Sequence, residues 1–578
     1  MPRFYDSRHG RTLSRVGLCK WLPIIVGLGL VPELSRAADV PPLSTLPSPT
    51  DSRPIDGVGN NPMFPDFGSA GAGLLRLVPS DYGDGISSMA GAGRPDPRTL
   101  SNALGSQAGS MPNTRGLSGF FWAFGQLLDH DLSLTLTDQS AAAPMPIQPG
   151  DPLFGSAAVI PFNRSVVELG TGISVANPRN QTNAITAFID ASFVYGSDLS
   201  LTASLRADDG SGQLQTAPGN LLPTNGQLAL DLEPLNDGLR VAGDVRVNEN
   251  AALTALQTVF MREHNRLAAA IQAEQPGISG DDTFFAAREI VAAQMQAITY
   301  NEFLPILLGK TNGLGGYGGY DKTVNPGIAQ EFSAALYRFG HSMVQDEFIV
   351  VHPDLSTSTV PLATCFFNPT CMLSSFDVES ILAGLGMQPA QELDSKVVDA
   401  LRNMLLTDFG AVGIDLLAIN LQRGRDHGLA SYLDVRAALG LGPIDLPAEL
   451  TAAYGGNDID LLVGALMENP LDDAIVGETM SWVLSDQFER LRAGDRYWFE
   501  NPDFDGLGNP LFNDDLVAWL NQQTLGDLIK RNTGIDRKPG SVFFMTESIL
   551  MAKSVPSPAP LVLLGPLLVV AYRMRRAR

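Results

Sequence analysis

The chain has 578 residues, 44% hydrophobic and only 17% charged, which excludes wholesale disorder and leaves ample material to bury a large cofactor. Its 58 glycines and 40 prolines imply many loops but follow no three-residue period, so collagen is excluded. Acidic residues outnumber basic ones by 62 to 39, which argues against a nucleic-acid partner.

Residues 1–37 read as a secretory signal. Arg3, Arg8, Arg11, Arg15 and Lys20 make a basic start, and Leu22 to Val31 form a short apolar run. Ser35-Arg36-Ala37 then offers a small-residue cleavage site before Ala38. The apolar run is well short of the roughly 20 residues that span a bilayer, so a signal is favoured over an anchor.

Residues 38–115 are rich in Pro, Gly, Ser and Asp and read as an irregular arm. From about 116 onward helical periods dominate. In the segment 121–131, a helix puts Gln126, Asp129 and His130 on one face. A polar trio on an aromatic-rich helix is hard to bury without purpose, yet the spacing alone leaves functional and structural roles evenly matched.

Between Thr186 and Ser192, oxygen-bearing and apolar residues alternate. In extended backbone, Thr186, Asp190 and Ser192 share one side and can converge on a hard cation, with Asp131 adding a carboxylate. A half-buried strand with its polar residues outward fits the same spacing equally well.

Leu253, Leu256, Phe260 and Leu267 fall on one helical face, as do Val291, Met295 and Ile298. The glycine cluster at 313–319 lacks the Gly-Lys-Ser/Thr ending of a phosphate loop and reads as a plain loop. Further helices are expected near 329–344, 394–406, 412–437 and 474–493. Cys19 leaves with the signal, so Cys365 and Cys371 remain, and an even pair six apart in an exported chain points to a disulfide over two free thiols. We find no internal repeat. The parse is one large, mainly α-helical domain within 38–548, its body starting near 50 and few short strands expected.

Residues 549–578 read as a sorting or anchor tail. Val555-Pro-Ser-Pro-Ala-Pro leads into an apolar stretch, Leu561 to Tyr572, and then Arg573, Arg575, Arg576 and Arg578. The order resembles the bacterial PEP-CTERM tail, although Pro556-Ser557-Pro558 lacks that motif's glutamate. The alternative is an unprocessed tail giving transient membrane association. Both readings make the protein secreted or resident in the cell envelope. Loss of residues 1–37 and 573–578 removes ten basic and two acidic residues, deepening the net charge from −23 to −31.

Only six histidines occur, so each can be weighed. His9 leaves with the signal and His352 sits beside Pro353 in a loop. His264 and His427 stand among charged neighbours, where a hydrogen-bonded structural role fits better. His130 and His341 remain; His341 closes an otherwise apolar run, where a satisfied core histidine is the simpler reading of that segment alone.

Taken together, these segments resemble the animal-type haem peroxidases, the superfamily that includes myeloperoxidase, peroxidasin and the cyclooxygenases. The likeness runs from about Arg53 to Phe544. It includes Gln-Leu-Leu-Asp-His-Asp (126–131), Ala-Gly-Asp-Val-Arg-Val-Asn-Glu (242–249) and Arg-Glu-His-Asn-Arg-Leu (262–267). It continues through Tyr-Arg-Phe-Gly-His (337–341), Asn-Leu-Gln-Arg-Gly-Arg-Asp-His-Gly (420–428) and Gly-Asp-Arg-Tyr-Trp (494–498).

The resemblance implies haem b and calcium as cofactors, with hydrogen peroxide and small electron donors as partners. It makes His130 the distal base, Arg246 the distal cation and Gln126 the distal glutamine near the halide site. His341 becomes the proximal iron ligand with Asn420 at its other ring nitrogen, and Arg338 and Arg423 face haem propionates. Asp131, Thr186, Asp190, Ser192 and the Phe188 carbonyl match the calcium ligands. Asp129 and Glu249 match the two carboxylates that form haem esters, and Glu249 is expected on one helical face with Arg246.

Two departures stand out. Asn250 replaces the methionine that forms a sulfonium bond to haem in myeloperoxidase, so at most two covalent links are expected. The cyclooxygenases carry a radical tyrosine three residues before the proximal histidine, where this chain has Arg338; Tyr337 is four before. The resemblance thus implies a secreted peroxidase that oxidises halides, thiocyanate or phenols through high-valent haem. A fatty-acid dioxygenase on the same fold is weakened by the missing tyrosine. A catalytically silent adhesion protein is weakened by the intact set His130, Arg246, His341 and Asn420.

Overall fold

In the computed structural model the described residues are 41–43, 52–154, 159–228, 238–310, 314–371, 375–405, 413–537, 540–546 and 549–551. The signal (1–37) and nearly all of the tail lie outside them. From Val40 onward the chain forms one unit.

The frame is helical, and three of its long helices start on a side-chain cap. Helix α1 (Gly119–Leu132) begins at Ser118, whose hydroxyl accepts the Phe120 N–H. Helix α2 (Ala251–Glu274) begins at Asn250, and α3 (Gly280–Ile298) at Ser279. The apolar stripes read from the sequence are the faces that pack: Leu253, Leu256, Phe260, Leu267, Val291, Met295 and Ile298 are all fully buried. Helix α1 packs on α2 and on α4 (Ser375–Met387). Its approach to α4 needs a residue without a side chain, because a Cβ on Gly119 would lie 2.9 Å from Leu385 Cδ2.

The four helices expected from 329 onward are shorter or broken. The span 329–344 holds an α-helix over Gln330–Ala334, then a 3₁₀ helix over Leu336–Met343, divided where Ala335 leaves the helical region (φ −140°, ψ −73°). The span 412–437 holds α5 (Leu416–Asp426) and a second helix at Tyr432–Ala438. Gly428 parts them with φ +64°, and a Cβ there would come 2.6 Å from the Tyr82 ring. Around 394–406, only Asp399–Arg402 is helical among the described residues. Helix α6 (Glu478–Ala493) starts four residues after the expected 474.

Strands are few and short, as expected. Among the described residues they form four two-stranded antiparallel sheets, the longest pairing Glu347–Val351 with Thr357–Pro361. Ile535–Arg537 pairs with Ile549–Met551, so ordered backbone continues three residues past 548. The arm is irregular apart from a helical stretch over Pro97–Leu100 and Ser101–Gly105, and Leu314–Tyr320 carries neither helix nor strand. No helix of the described residues is long and apolar enough to cross a membrane.

Candidate active site

Helix α1 presents Gln126, Asp129 and His130 together, as its period requires. His130 is 3% exposed, and its Nδ1 makes no hydrogen bond. Opposite lies the turn 244–249. There Asp244 grips the Arg246 guanidinium with both oxygens, at 2.9 Å from Nε and 2.7 Å from Nη2. The same Asp244 Oδ1 is 3.5 Å from His130 Nδ1, while Glu249 Oε2 is 3.6 Å from His130 Nε2. Arg246 Nη1 lies 3.6 Å from Asp129 Oδ2. Five side chains from two segments thus form one charged cluster.

Arg246 and Glu249 are not on a helix as expected. They sit in a turn closed by the Glu249 N–H to the Arg246 carbonyl (2.9 Å), because Asn250 is extended (φ −156°, ψ 164°) and lets α2 begin only at Ala251. The turn still delivers both side chains to the same side of α1.

Burial dominates the electrostatics of the cluster. It pulls His130 down to about 3, with Arg246 adding repulsion, so the ring is neutral at physiological pH. It raises Asp129 to about 6 and Glu249 to about 7. Burial also pushes Asp244 upward, but the Arg246 charge outweighs it and holds the carboxyl below its ordinary range.

The second histidine is built differently. His341 lies on the 3₁₀ helix, and Asn420 of α5 places its amide nitrogen 2.8 Å from His341 Nδ1. Arg338 Nη1 donates to Asn420 Oδ1 (2.9 Å), and Arg338 Nε donates to the Ser333 carbonyl (2.9 Å). Burial, then Arg338, pulls His341 down to about 3, and burial lowers Arg338 to about 10. Arg423 of α5 donates to Ser165 Oγ (2.7 Å) and Asp426 Oδ2 (3.2 Å) and stacks 4.3 Å over Phe162. Tyr337 is buried with its hydroxyl unbonded and its ring stacked on Phe332 (4.5 Å).

The segment 186–192 is not the extended strand that its alternation suggests. It bends, passes through Ala191 in the left-handed region (φ 59°) and enters a short helix at Ser192. Bending brings the oxygens together nonetheless. Thr186 Oγ1 donates to Asp190 (3.2 Å), and the Ser192 N–H donates to Asp190 Oδ1 (3.0 Å). Ser192 Oγ donates to Asp131 Oδ1 (2.9 Å), and the Ala191 N–H to Asp131 Oδ2 (3.0 Å). Asp131, Asp190, Thr186 and Phe188 are fully buried, and burial raises both carboxyls. Arg288 approaches Asp190 at 3.4 Å. The arm packs on this loop: a Cβ on Gly68 would lie 2.8 Å from the Phe188 ring.

The remaining histidines are structural, as expected. His264 bonds Tyr195 Oη (2.9 Å) and the Gly212 carbonyl (3.0 Å); His427 bonds Ser165 Oγ (2.7 Å) and Gln330. His352 bonds Ser358 at the sheet turn. Cys365 and Cys371 are joined, and the loop they close donates the Phe367 N–H to the Asn248 carbonyl (2.8 Å) of the 244–249 turn. Sequence reasoning missed Asp244. Its place two residues before Arg246, in an otherwise apolar run, was the available signal. It also missed the contact of Asn250 with Gln126, which joins residues 124 apart.

Comparison with known proteins identifies the family. The family model described as animal haem peroxidase matches residues 52–543. Human eosinophil peroxidase is 33% identical over 85% of this chain and 76% of its own length; human myeloperoxidase is 32% identical over 87% and 75%. Human thyroid peroxidase is 32% identical, and this chain spans 60% of it. Among solved structures, peroxidase A from Dictyostelium discoideum superposes with a TM-score of 0.74 at 28% identity, over 83% of this chain and 97% of that one. A fatty acid alpha-dioxygenase from Arabidopsis thaliana superposes at 0.72, over 90% of this chain and 88% of that one, with 20% identity, a likeness of fold alone. The chain belongs to the animal haem peroxidase family.

Proposed function

We propose that this chain consumes hydrogen peroxide at a haem b held between His130 and His341, and oxidises halides, thiocyanate or phenols. The observation that carries the reading is the pairing of two neutral, inward-facing imidazoles with different supports. One faces a fixed guanidinium and has a ring nitrogen left unbonded; the other is backed by an amide. Asn420 engages His341 Nδ1 and leaves Nε2 as the nitrogen for iron; ligation there needs the ring proton on Nδ1, so the Asn420 amide would turn its oxygen to accept it. Arg338 and Arg423 supply donors suited to the haem carboxylates. Haem, when bound, would supply the iron that takes up peroxide and would hold the two oxidising equivalents that peroxide delivers until donors reduce it.

The chain's own part is proton handling and charge placement. The single ring proton of neutral His130 is best held at Nδ1, facing anionic Asp244, which leaves the Nε2 lone pair to take a proton from bound peroxide. Returning that proton to the departing oxygen makes water the leaving group. Arg246, fixed by Asp244, stabilises negative charge as the O–O bond breaks, at no cost of reorganisation. His341→Ala is expected to abolish haem retention, whereas His130→Ala keeps haem and loses about 10²- to 10⁴-fold in peroxide consumption. Full activity in His130→Ala overturns the assignment.

Calcium is the second proposed cofactor, held by Asp131, Asp190, Thr186, Ser192 and the Phe188 carbonyl. Two fully buried carboxyls sharing hydroxyl and amide partners support it, since a hard cation would neutralise both. Asp129 and Glu249 are the proposed ester links to haem, because burial favours their neutral forms and an ester removes the charge altogether. Complete release of haem into acidified organic solvent after peroxide treatment excludes those links. We also propose export, with residues 1–37 removed and the tail processed or membrane-associated; mass spectrometry of native protein showing Met1 retained rejects it.

The alpha-dioxygenase likeness gives a second reading little purchase. Arg338 occupies the place three residues before His341, and it is committed to Asn420 and Ser333.

A further inference from the structure

Asn250 does two things at once. Its Oδ1 accepts the Leu253 N–H at 3.0 Å as the cap of α2, and its Nδ2 donates to Gln126 Oε1 at 2.9 Å. Gln126 Nε2 in turn donates to Glu249 Oε2 at 2.9 Å. Amide oxygen and nitrogen are distinguished by their partners, and here the chain of partners is forced from one end. A backbone N–H can only donate, so the Asn250 atom at the cap is its oxygen. Its nitrogen therefore faces Gln126, which must answer with its own oxygen. The Gln126 nitrogen is then directed to Glu249, on the side of His130 Nε2, itself 3.6 Å from the same Glu249 oxygen. One Gln126 N–H serves Glu249, and among the described residues no hydrogen bond occupies the other.

We propose that Asn250 is a positioning residue for donor binding: through the α2 cap it locks Gln126 with its N–H groups, never its carbonyl, toward Glu249 and the Nε2 side of His130, which favours small anionic donors over neutral ones. An N–H attracts an anion and a carbonyl oxygen repels it, so the direction of one amide decides the preference. The inference rests on the peroxidase reading above. Asn250 is 6% exposed, so its two bonds are not competed away by solvent.

Asn250→Ser separates the two roles, because a serine hydroxyl caps a helix but cannot reach Gln126. The probe is thiocyanate, read in two ways on haem-loaded protein: the Soret shift on binding to the resting enzyme, and the split between KM and kcat in peroxide-driven oxidation. The expected result is about 5- to 10-fold weaker thiocyanate binding, as for one charge-assisted hydrogen bond lost. KM should rise in parallel, with kcat changed less than about twofold and the melting temperature close to that of the parent. In a Gln126→Leu background the same substitution should have no further effect on thiocyanate binding, which a merely structural role would not produce. Equal affinity in parent and Asn250→Ser, or an undiminished effect in the Gln126→Leu background, overturns the inference. A parent protein without haem overturns the peroxidase reading instead.

Discussion

Asp244 illustrates how one side chain ties the distal cluster together. It holds Arg246 by two bonds and turns the same oxygen toward His130 Nδ1, so removing its charge loosens the cation and the base together. Asp244→Asn is expected to slow the reaction with peroxide about 10²-fold, the scale of one lost preorganised electrostatic contact, with haem retained. A stopped-flow rate within about twofold of the parent contradicts this. The His130 environment also sets a pH dependence. Its folded value, about 3 against 6.5, means that the folded state binds fewer protons than the unfolded one between these limits. Its contribution to stability is therefore fully present above pH 6.5 and is lost as the pH falls toward 3. In a variant carrying Asp129→Asn and Glu249→Gln, which removes the carboxyls that titrate at about 6 and about 7, peroxide consumption should show no inflection at pH 6.5 on acidification, since the base is already neutral there. A fall with its midpoint near 6.5 in that variant would mean that the ring is solvated. Asp244 did not stand out in the sequence, and Asn250 stood out only as the residue in place of a methionine, because their contacts with His130 and Gln126 cross more than 100 residues and leave no local pattern.

At the scale of elements, α1 couples the two proposed cofactors. Residues 130 and 131 are neighbours on its last turn, one facing the distal cluster and the other the 186–192 loop, so order in the loop is order in the base. Asp131→Ala is expected to remove calcium and raise amide hydrogen exchange in 186–195 and in the last turn of α1. Wild-type protein that is active but free of calcium rejects that proposal. Long helices were legible wherever an apolar stripe ran for several turns, as in α2 and α3. The 186–192 loop was misread because period-2 alternation describes a strand, whereas Ala191 in the left-handed region folds the same residues into a cup. The stop at Gly428 is set against the Tyr82 ring, a packing partner that no window of local sequence contains.

Across the whole molecule, the arm is fastened to the far end of the domain by buried charge. Arg53 makes two bonds to Asp495, at 2.9 Å each, and its N–H reaches Glu289 at 2.8 Å, while Arg288 returns a bond to the Arg53 carbonyl. This lattice surrounds the 186–192 loop: Arg288 meets Asp190, and Gln296 bonds both the Ile189 carbonyl and Asp495. Arg53→Ala leaves Asp495 buried without its cation and should cost about 3–5 kcal/mol, seen as an earlier denaturation midpoint. A midpoint equal to that of the parent contradicts a structural role for the arm. Composition alone gave the arm its irregular character but no hint of this anchoring, because Gly- and Pro-rich text says where a chain turns, not what it holds.

The central claim is that His130 and His341 enclose a peroxide-reactive haem. It is tested most directly by the absorption spectrum of purified protein and of His341→Ala, each recorded before and after one equivalent of hydrogen peroxide. A Soret band in the parent that changes within seconds of peroxide addition, and is absent from His341→Ala, is the predicted result. A parent without a Soret band after expression with haem, or a band that survives His341→Ala unchanged, contradicts the account.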